Sequence, residues 1–234
     1  MDNRLDQLKQ CESTFFAVKK SYLRSSSQSG YLAYRFLRPI LKTRYYFFRK
    51  FNNPCPWLSP SSVRFLKKHL NKEMNGLEFG SGISTLFTAP KVKHLISIEH
   101  NKEWFDKISK RFEYEGISNI DYRLILQNDE NSHLETPIKM ESDLNFNVRR
   151  DYFNYYMTVD SIPDNSLDFV LVDGRARPEC LYYALPKMKK NGIVILDNSE
   201  REHYKIVFEF MNKYPMYTTT NGLTDTSFWF LNND

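Results

Sequence analysis

Four short apolar runs in this chain carry an acidic residue inside them or at their end, and these acids are the side chains best placed to do chemistry. Glu78 lies in Leu77-Glu78-Phe79, directly before Gly80-Ser81-Gly82. Glu99 follows Leu95-Ile96-Ser97-Ile98. Asp173 follows Phe169-Val170-Leu171-Val172, and Asp197-Asn198 follows Ile193-Val194-Ile195-Leu196. Gly80 and Gly82 let a backbone turn sharply and approach a ligand with no Cβ in the way. Glu99 stands 17 residues after Gly82, close to the spacing of a carboxylate that bonds ribose hydroxyls. Asp173, Asp197 and Asn198 form a hard oxygen set suited to Mg²⁺ or another divalent cation. They serve equally as helix caps, and Asp173 alone serves as a general base. Arg175 and Arg177 offer guanidinium forks for a carboxylate or phosphate, or form a solvated loop.

These residues need a scaffold, and the hydrophobic pattern predicts one. Strands are expected at 76–79, 94–98, 120–126, 167–172 and 192–196. Helices are expected between them at 84–89, 102–114 and 178–190. A helix at 202–213 and two strands near 216–219 and 227–231 finish the chain. Strand–helix alternation builds a parallel sheet covered on both faces, and the last two strands point to an antiparallel edge. Strands in such sheets present their carboxyl ends to a ligand crevice, which is where the acids fall. Residues 127–166 form a long insertion before the fourth strand, and its aromatics Tyr152, Phe153, Tyr155 and Tyr156 serve either a pocket wall or the core. Trp104 is read as a partner for a base or as core, and His203 as a helix-surface residue.

The run Glu78-Phe79-Gly80-Ser81-Gly82-Ile83-Ser84 resembles motif I of class I S-adenosylmethionine-dependent methyltransferases. The resemblance spans about residues 57–231. It implies a Rossmann-like α/β fold with a seven-stranded, mostly parallel sheet, an antiparallel last strand and helices on both faces. It implies that Glu78, Gly80, Ser81, Gly82 and Ser84 form the cofactor loop and that Glu99 binds the ribose. Asn128 or Asp129 would then lie near the adenine. Ser84 stands where the family usually has a third glycine. A dinucleotide fold wants its third glycine at position 85, where this chain has Thr85, which makes an NAD-dependent oxidoreductase the weaker enzyme reading. The Asp173 and Asp197-Asn198 strand ends resemble the metal triad of catechol- and caffeoyl-CoA-type O-methyltransferases. Those enzymes carry a lysine three residues after the first Asp, where this chain has Ala176. The resemblance implies methyl transfer to a hydroxyl on a glycan or small metabolite, with Asp173 and Arg175 as catalytic candidates. A non-catalytic cofactor-binding or scaffolding protein is the rival outside enzymology. The Asp173-Gly174-Arg175-Ala176 turn lacks the Asn/Asp-Pro-Pro-aromatic motif of nucleic-acid amino-methyltransferases, so nucleic acid is not the expected partner.

Charge divides the 234 residues in two. The net charge is +5, but residues 1–57 hold 11 Lys/Arg against 3 Asp/Glu, and the remainder is slightly acidic. The division predicts a basic, aromatic-rich helical extension at 1–57 and a cofactor-binding domain at 58–234. Residues 21–57 contain no acid. Within them Tyr34, Leu37, Leu41, Tyr45 and Phe48 follow a helical spacing, and Pro39 predicts two helical pieces meeting near Arg38. Ser25 to Gly30 reads as a flexible break, and Ser59 or Ser61 as a cap on a helix reaching about Leu70. The extension either docks on the domain or lies on an anionic membrane surface. No secretory signal and no run long enough to span a membrane is present. The three cysteines lack metal or disulfide spacing. A cytoplasmic protein, peripheral at the inner membrane, is the expectation.

Overall fold

The structure, a computed structural model, describes residues 3–12, 28–128 and 138–232. Three helices come first: α1 (Asn3–Gln10), α2 (Gln28–Phe51) and α3 (Pro60–His69). The body alternates as β1 (Asn75–Phe79), α4 (Ile83–Thr88), β2 (His94–Glu99), α5 (Lys102–Glu115), β3 (Ile120–Leu124), α6 (Lys139–Leu144), α7 (Phe153–Met157), β4 (Leu167–Val172), α8 (Arg177–Ala184), β5 (Met188–Asp197), α9 (Lys205–Phe210), β6 (Met216–Thr220) and β7 (Asp225–Phe230). The seven strands lie in the order β3-β2-β1-β4-β5-β7-β6, and β7 runs antiparallel to both its neighbours. This is the Rossmann-like α/β sheet expected from the alternation.

Both faces of the sheet are covered, which is why its central strands read as nearly continuous apolar runs. Along β4 and β5, Val170, Val172, Val194 and Leu196 pack with Tyr155, Tyr156, Leu181 and Val207 on one side. Phe169, Leu171, Ile193 and Ile195 pack with Phe65, Leu66, Phe48 and Leu8 on the other. The alternation follows from successive side chains pointing to opposite faces of a strand. Tyr152, Tyr155 and Tyr156 are core residues with Phe153 packed against them, so the aromatic run does not wall a pocket. The three cysteines are buried free thiols.

The N-terminal segment shares that core. Leu8 is fully buried in the second cluster. Arg4 donates to the carbonyl of Asn191 and to Asn232 Oδ1, and Arg64 donates twice to the carbonyl of Cys11. Ser59 caps α3, accepting from the Ser62 amide at 3.1 Å while donating to Thr219 Oγ1 at 2.8 Å. Two expectations change here. The part of the Ser25–Gly30 stretch that is described begins a helix. And α2 runs through Pro39 as one element rather than two. Pro39 removes a backbone donor and costs on the order of 3 kcal/mol in a free helix. It sits on the side turned away from the body, while Leu41 and Phe48 are buried beneath the helix and Tyr34, Leu37 and Tyr45 are half-buried. Packing along that stripe holds the helix through the defect.

Because Leu8 is enclosed by the same cluster as the sheet, Leu8→Ala is expected to lower the unfolding free energy of the whole protein by about 2–5 kcal/mol. Urea unfolding monitored by circular dichroism measures it; an unchanged midpoint would mean that the first helix is not part of the cooperative unit.

Candidate active site

The strand order turns back between β1 and β4, and there a crevice of about 1110 Å³ opens at the carboxyl ends of the strands. Such a switch point is where open α/β sheets bind ligands. The floor is set by a close backbone approach. Gly80 has φ +91°, and a Cβ on it would meet the Cα and N of Gly174 at 2.7 Å. A Cβ on Gly174 would lie 2.2 Å from the Tyr155 hydroxyl. Asp173 N–H to the Phe79 carbonyl, 2.9 Å, ties the two strand ends together, and Gly80 N–H to the Ile98 carbonyl, also 2.9 Å, holds the turn to β2 on the other side. Gly82 differs. Its backbone is extended, and a Cβ there would make only ordinary contact with Trp104 at 3.7 Å. Gly80 is required by the protein's own packing, whereas Gly82 is not.

Beneath the turn, Thr85 does the bracing. Its Oγ1 accepts from Gly82 N–H at 2.8 Å and donates to Glu78 Oε2 at 2.5 Å, and Ser97 Oγ donates to the same oxygen at 2.8 Å. Burial pushes Glu78 up to about 7, against the lowering effect of the Ser84, Thr85 and Ser97 hydroxyls. Glu78 and Ser84 therefore support the loop from below and do not line the crevice. The position read in the sequence only as a missing glycine carries this brace. A hydroxyl one helical turn into α4, facing a buried acid on β1, was the available signal.

Glu99 lies on the crevice wall and is saturated. Its Oε2 accepts from Ser81 N–H (3.0 Å) and Ser81 Oγ (2.9 Å), and its Oε1 from the amides of His100 and Asn101 (both 2.9 Å). Burial works to raise its pKa, but the bonds from His100, Asn101 and Ser81 win and hold it below the usual carboxylate range. Asn101 caps α5 through the Trp104 amide, and Trp104 Nε1 donates to the Ser81 carbonyl at 2.7 Å. Trp104 thus forms a half-open wall beside Gly80, Ser81 and Glu99. Asn128 is bound into the insertion, donating to the Asp151 carbonyl and accepting from the Asn154 amide, and is not among the lining residues. Asp129 lies outside the described residues.

The β4 and β5 ends are joined by Arg177, which is nearly fully buried and not a solvated loop residue. Its guanidinium donates to the Gly174 carbonyl (3.1 Å), the Asp173 carbonyl and Oδ1 (both 2.9 Å), Asn198 Oδ1 (3.3 Å) and the Asp197 carbonyl. Asp197 Oδ1 accepts from Thr226 Oγ1 at 2.9 Å. The set expected to hold a divalent metal, Asp173, Asp197 and Asn198, thus has a guanidinium on two of its three side chains, and a second positive charge against it is repelled. Burial, opposed by Arg177, raises Asp173; burial and then the Asp173 charge raise Asp197 well above the usual range. Asp173 keeps 30% of its side chain exposed to the crevice.

The far half of the crevice is cationic. Arg175 is exposed, with Nε 3.5 Å from His100 Nε2. Arg149 and Arg201 line the same side, together with Phe146, His203 and Tyr204. The insertion contributes to this wall through Phe146 and Arg149 and not through its tyrosines. His203, expected to be an ordinary surface residue, lies in the crevice; burial and then Arg201, Arg177 and Arg149 lower its pKa, favouring the neutral imidazole.

No protein-family model and no curated protein matches the chain. Solved structures do. An O-methyltransferase from Bacillus cereus in complex with SAH aligns with a TM-score of 0.55 and 13% identity, over 86% of this chain and 97% of that one. A methyltransferase-like protein from Silicibacter pomeroyi gives 0.53 and 20%, over 77% and 90%. An rRNA methylase from Streptococcus thermophilus gives 0.51 and 14%, over 74% and 95%. The chain therefore has the Rossmann-like fold of S-adenosylmethionine-dependent methyltransferases.

The two glycines are expected to separate on mutation. Gly80→Ala puts a Cβ into the Gly174 backbone at a left-handed φ and should destabilise by several kcal/mol or prevent folding. Gly82→Ala should leave the melting temperature within a few degrees and act on ligand binding alone; thermal melts of both decide it. Glu78 carries a pH signature. With a folded pKa of about 7 above an unfolded value of about 4.3, the folded state holds the extra proton, so stability falls as pH rises between those values. Glu78→Gln should lose less over that window in urea titrations at stepped pH.

Proposed function

We propose that this protein is an S-adenosylmethionine-dependent methyltransferase that acts on a hydroxyl of an anionic small metabolite or glycan. The observation that carries the reading is the crevice wall at the switch point, where the Gly80 and Ser81 backbone, the Trp104 ring and the Glu99 carboxylate line one cavity. Gly82, next in the loop, is not demanded by the protein's own packing, since a Cβ there makes only ordinary contact. The residues fit the cofactor: Gly80, Ser81 and Gly82 form the loop against its amino-acid portion, Trp104 gives an apolar flank, and Glu99 suits the ribose once the Ser81 hydroxyl turns to Tyr122, 2.6 Å away. The missing third glycine and the buried Thr85 brace weigh against a dinucleotide.

Bound S-adenosylmethionine supplies an electrophilic methyl group. The chain's own residues must bring an acceptor oxygen in line with it and take its proton. Asp173, partly exposed to the crevice with a raised pKa, is the assigned base: its distance from the usual carboxylate range brings it closer to the working pH. Arg175, exposed on the crevice wall with Arg201 on the same lining, is a guanidinium fork that suits a carboxylate or phosphate on the acceptor, while Arg149 on that lining is already paired with Asp151. Because Arg177 fills the space between the strand-end oxygens, the reading includes no divalent cation.

Calorimetry with S-adenosylhomocysteine and with NAD tests the cofactor. Binding of the first and not the second is expected, with Glu99→Gln weakening it by about 10- to 100-fold through loss of a charged acceptor. NAD binding without S-adenosylhomocysteine binding would replace the reading with a dehydrogenase, and binding of neither would leave a scaffold.

A further inference from the structure

Helix α2 has two apolar faces, and the body covers one. Leu41 and Phe48 are buried and Tyr45 half-buried on the docked side. On the opposite side Leu32, Phe36, Ile40, Phe47 and Phe51 recur at spacings of four and seven, which places them within an arc of roughly 100°. They are exposed by 54%, 79%, 57%, 43% and 75%. Tyr46 (61%) borders this row, and Trp57 (61%) stands beyond the end of the helix with Arg49 stacked 4.2 Å above its ring. Single exposed apolar residues need no explanation, but a continuous row of this size does.

The charges next to the row are all of one sign. Arg35, Arg38 and Lys42 fall one flank away and, with Tyr34 and Pro39, line a groove of about 580 Å³. Arg49 continues the flank toward the end of the helix, and Lys50 stands in the last turn at the border of the row. From residue 13 to residue 72 the sequence holds 13 Lys/Arg and no Asp or Glu. The helix does not cross a membrane: six cations interrupt it, and among the described residues no helix is long and apolar enough.

We propose that this outer face of α2 docks the protein on an anionic phospholipid surface, the apolar row entering the headgroup–acyl boundary and the flanking cations meeting lipid phosphates. An apolar row with cations along its border is the arrangement of an interfacial helix. The like charge selects this occupant over the alternatives. A second copy would bring two cationic flanks together, and residues 13–27 of the chain, which carry Lys19, Lys20 and Arg24 and no acid, offer no charge complementary to the flank. Nucleic acid would be expected to meet aromatics set in a cationic groove, whereas most of this row is aliphatic and phenyl surface with its cations along one border. The inference does not rest on the reaction proposed for the crevice.

The test is co-sedimentation of the full chain with phosphatidylcholine vesicles, with and without phosphatidylglycerol. Binding is expected only to the anionic vesicles, weakening with salt, with a blue shift in Trp57 emission. Arg35→Glu/Arg38→Glu/Lys42→Glu should weaken it about a hundredfold or more, and Phe36→Ser/Phe51→Ser about tenfold or more, with melting temperatures unchanged because these side chains are exposed. Equal binding to both vesicle types, or none, overturns the proposal. So does a melting temperature lowered by Phe36→Ser/Phe51→Ser, since the chain itself then covers the row. So does a dimer that the same variant dissolves, or oligonucleotide binding without vesicle binding.

Discussion

The crevice depends on how closely the ends of β1 and β4 can approach. At Gly80 and Gly174 the two backbones touch with no side chain between them, and the Asp173 N–H to Phe79 carbonyl bond ties the strand ends beside the contact. A Cβ at either position would spread the strands at the point where the sheet order reverses. Everything that faces a ligand is referenced to that contact: Ser81 and Gly82 follow it on one strand, and Asp173 and Arg175 flank it on the other. The Thr85 brace then fixes the direction in which the loop leaves, because Glu78 beneath it is buried and has hydroxyl partners in fixed positions.

Arg177 performs a related task on the next pair of strands. Its donors reach backbone and side-chain acceptors on the ends of both β4 and β5 and neutralise the acids there. A buried carboxylate such as Asp197 beside the half-buried Asp173 is costly without positive charge nearby. A guanidinium supplies that charge, and an arginine is covalently part of the fold and remains charged at any working pH.

The extension and the body are one packed unit with two kinds of surface. Leu8, Phe48 and Leu58 complete the core on one sheet face, so a charge boundary in the sequence does not mark a boundary in packing. Charge is a surface property, and apolar burial decides which segments cohere. On α2 both principles act on one helix: its inner stripe answers to the core, and its outer row answers to whatever lies beyond the protein.

The sequence by itself determined the architecture and the edge of the sheet at which the crevice opens. Two-fold and 3.6-fold apolar periods are local properties, and an acid at the end of an apolar run lands at a strand's carboxyl end in any sheet of this kind. The glycine pair Gly80 and Gly82 was legible for the same reason, although the pattern could not tell that one glycine is required by packing and the other is not. Only the tertiary structure decided the rest, because each remaining point turns on which distant groups meet. Thr85 became a brace through Glu78 and Ser97. Arg177 became a buried clamp through strand ends some 20 residues apart. The tyrosines of the insertion became core, and Pro39 was absorbed into a continuous helix. Hydrogen-bond saturation and burial are properties of neighbours in space, and one-dimensional spacing does not contain them.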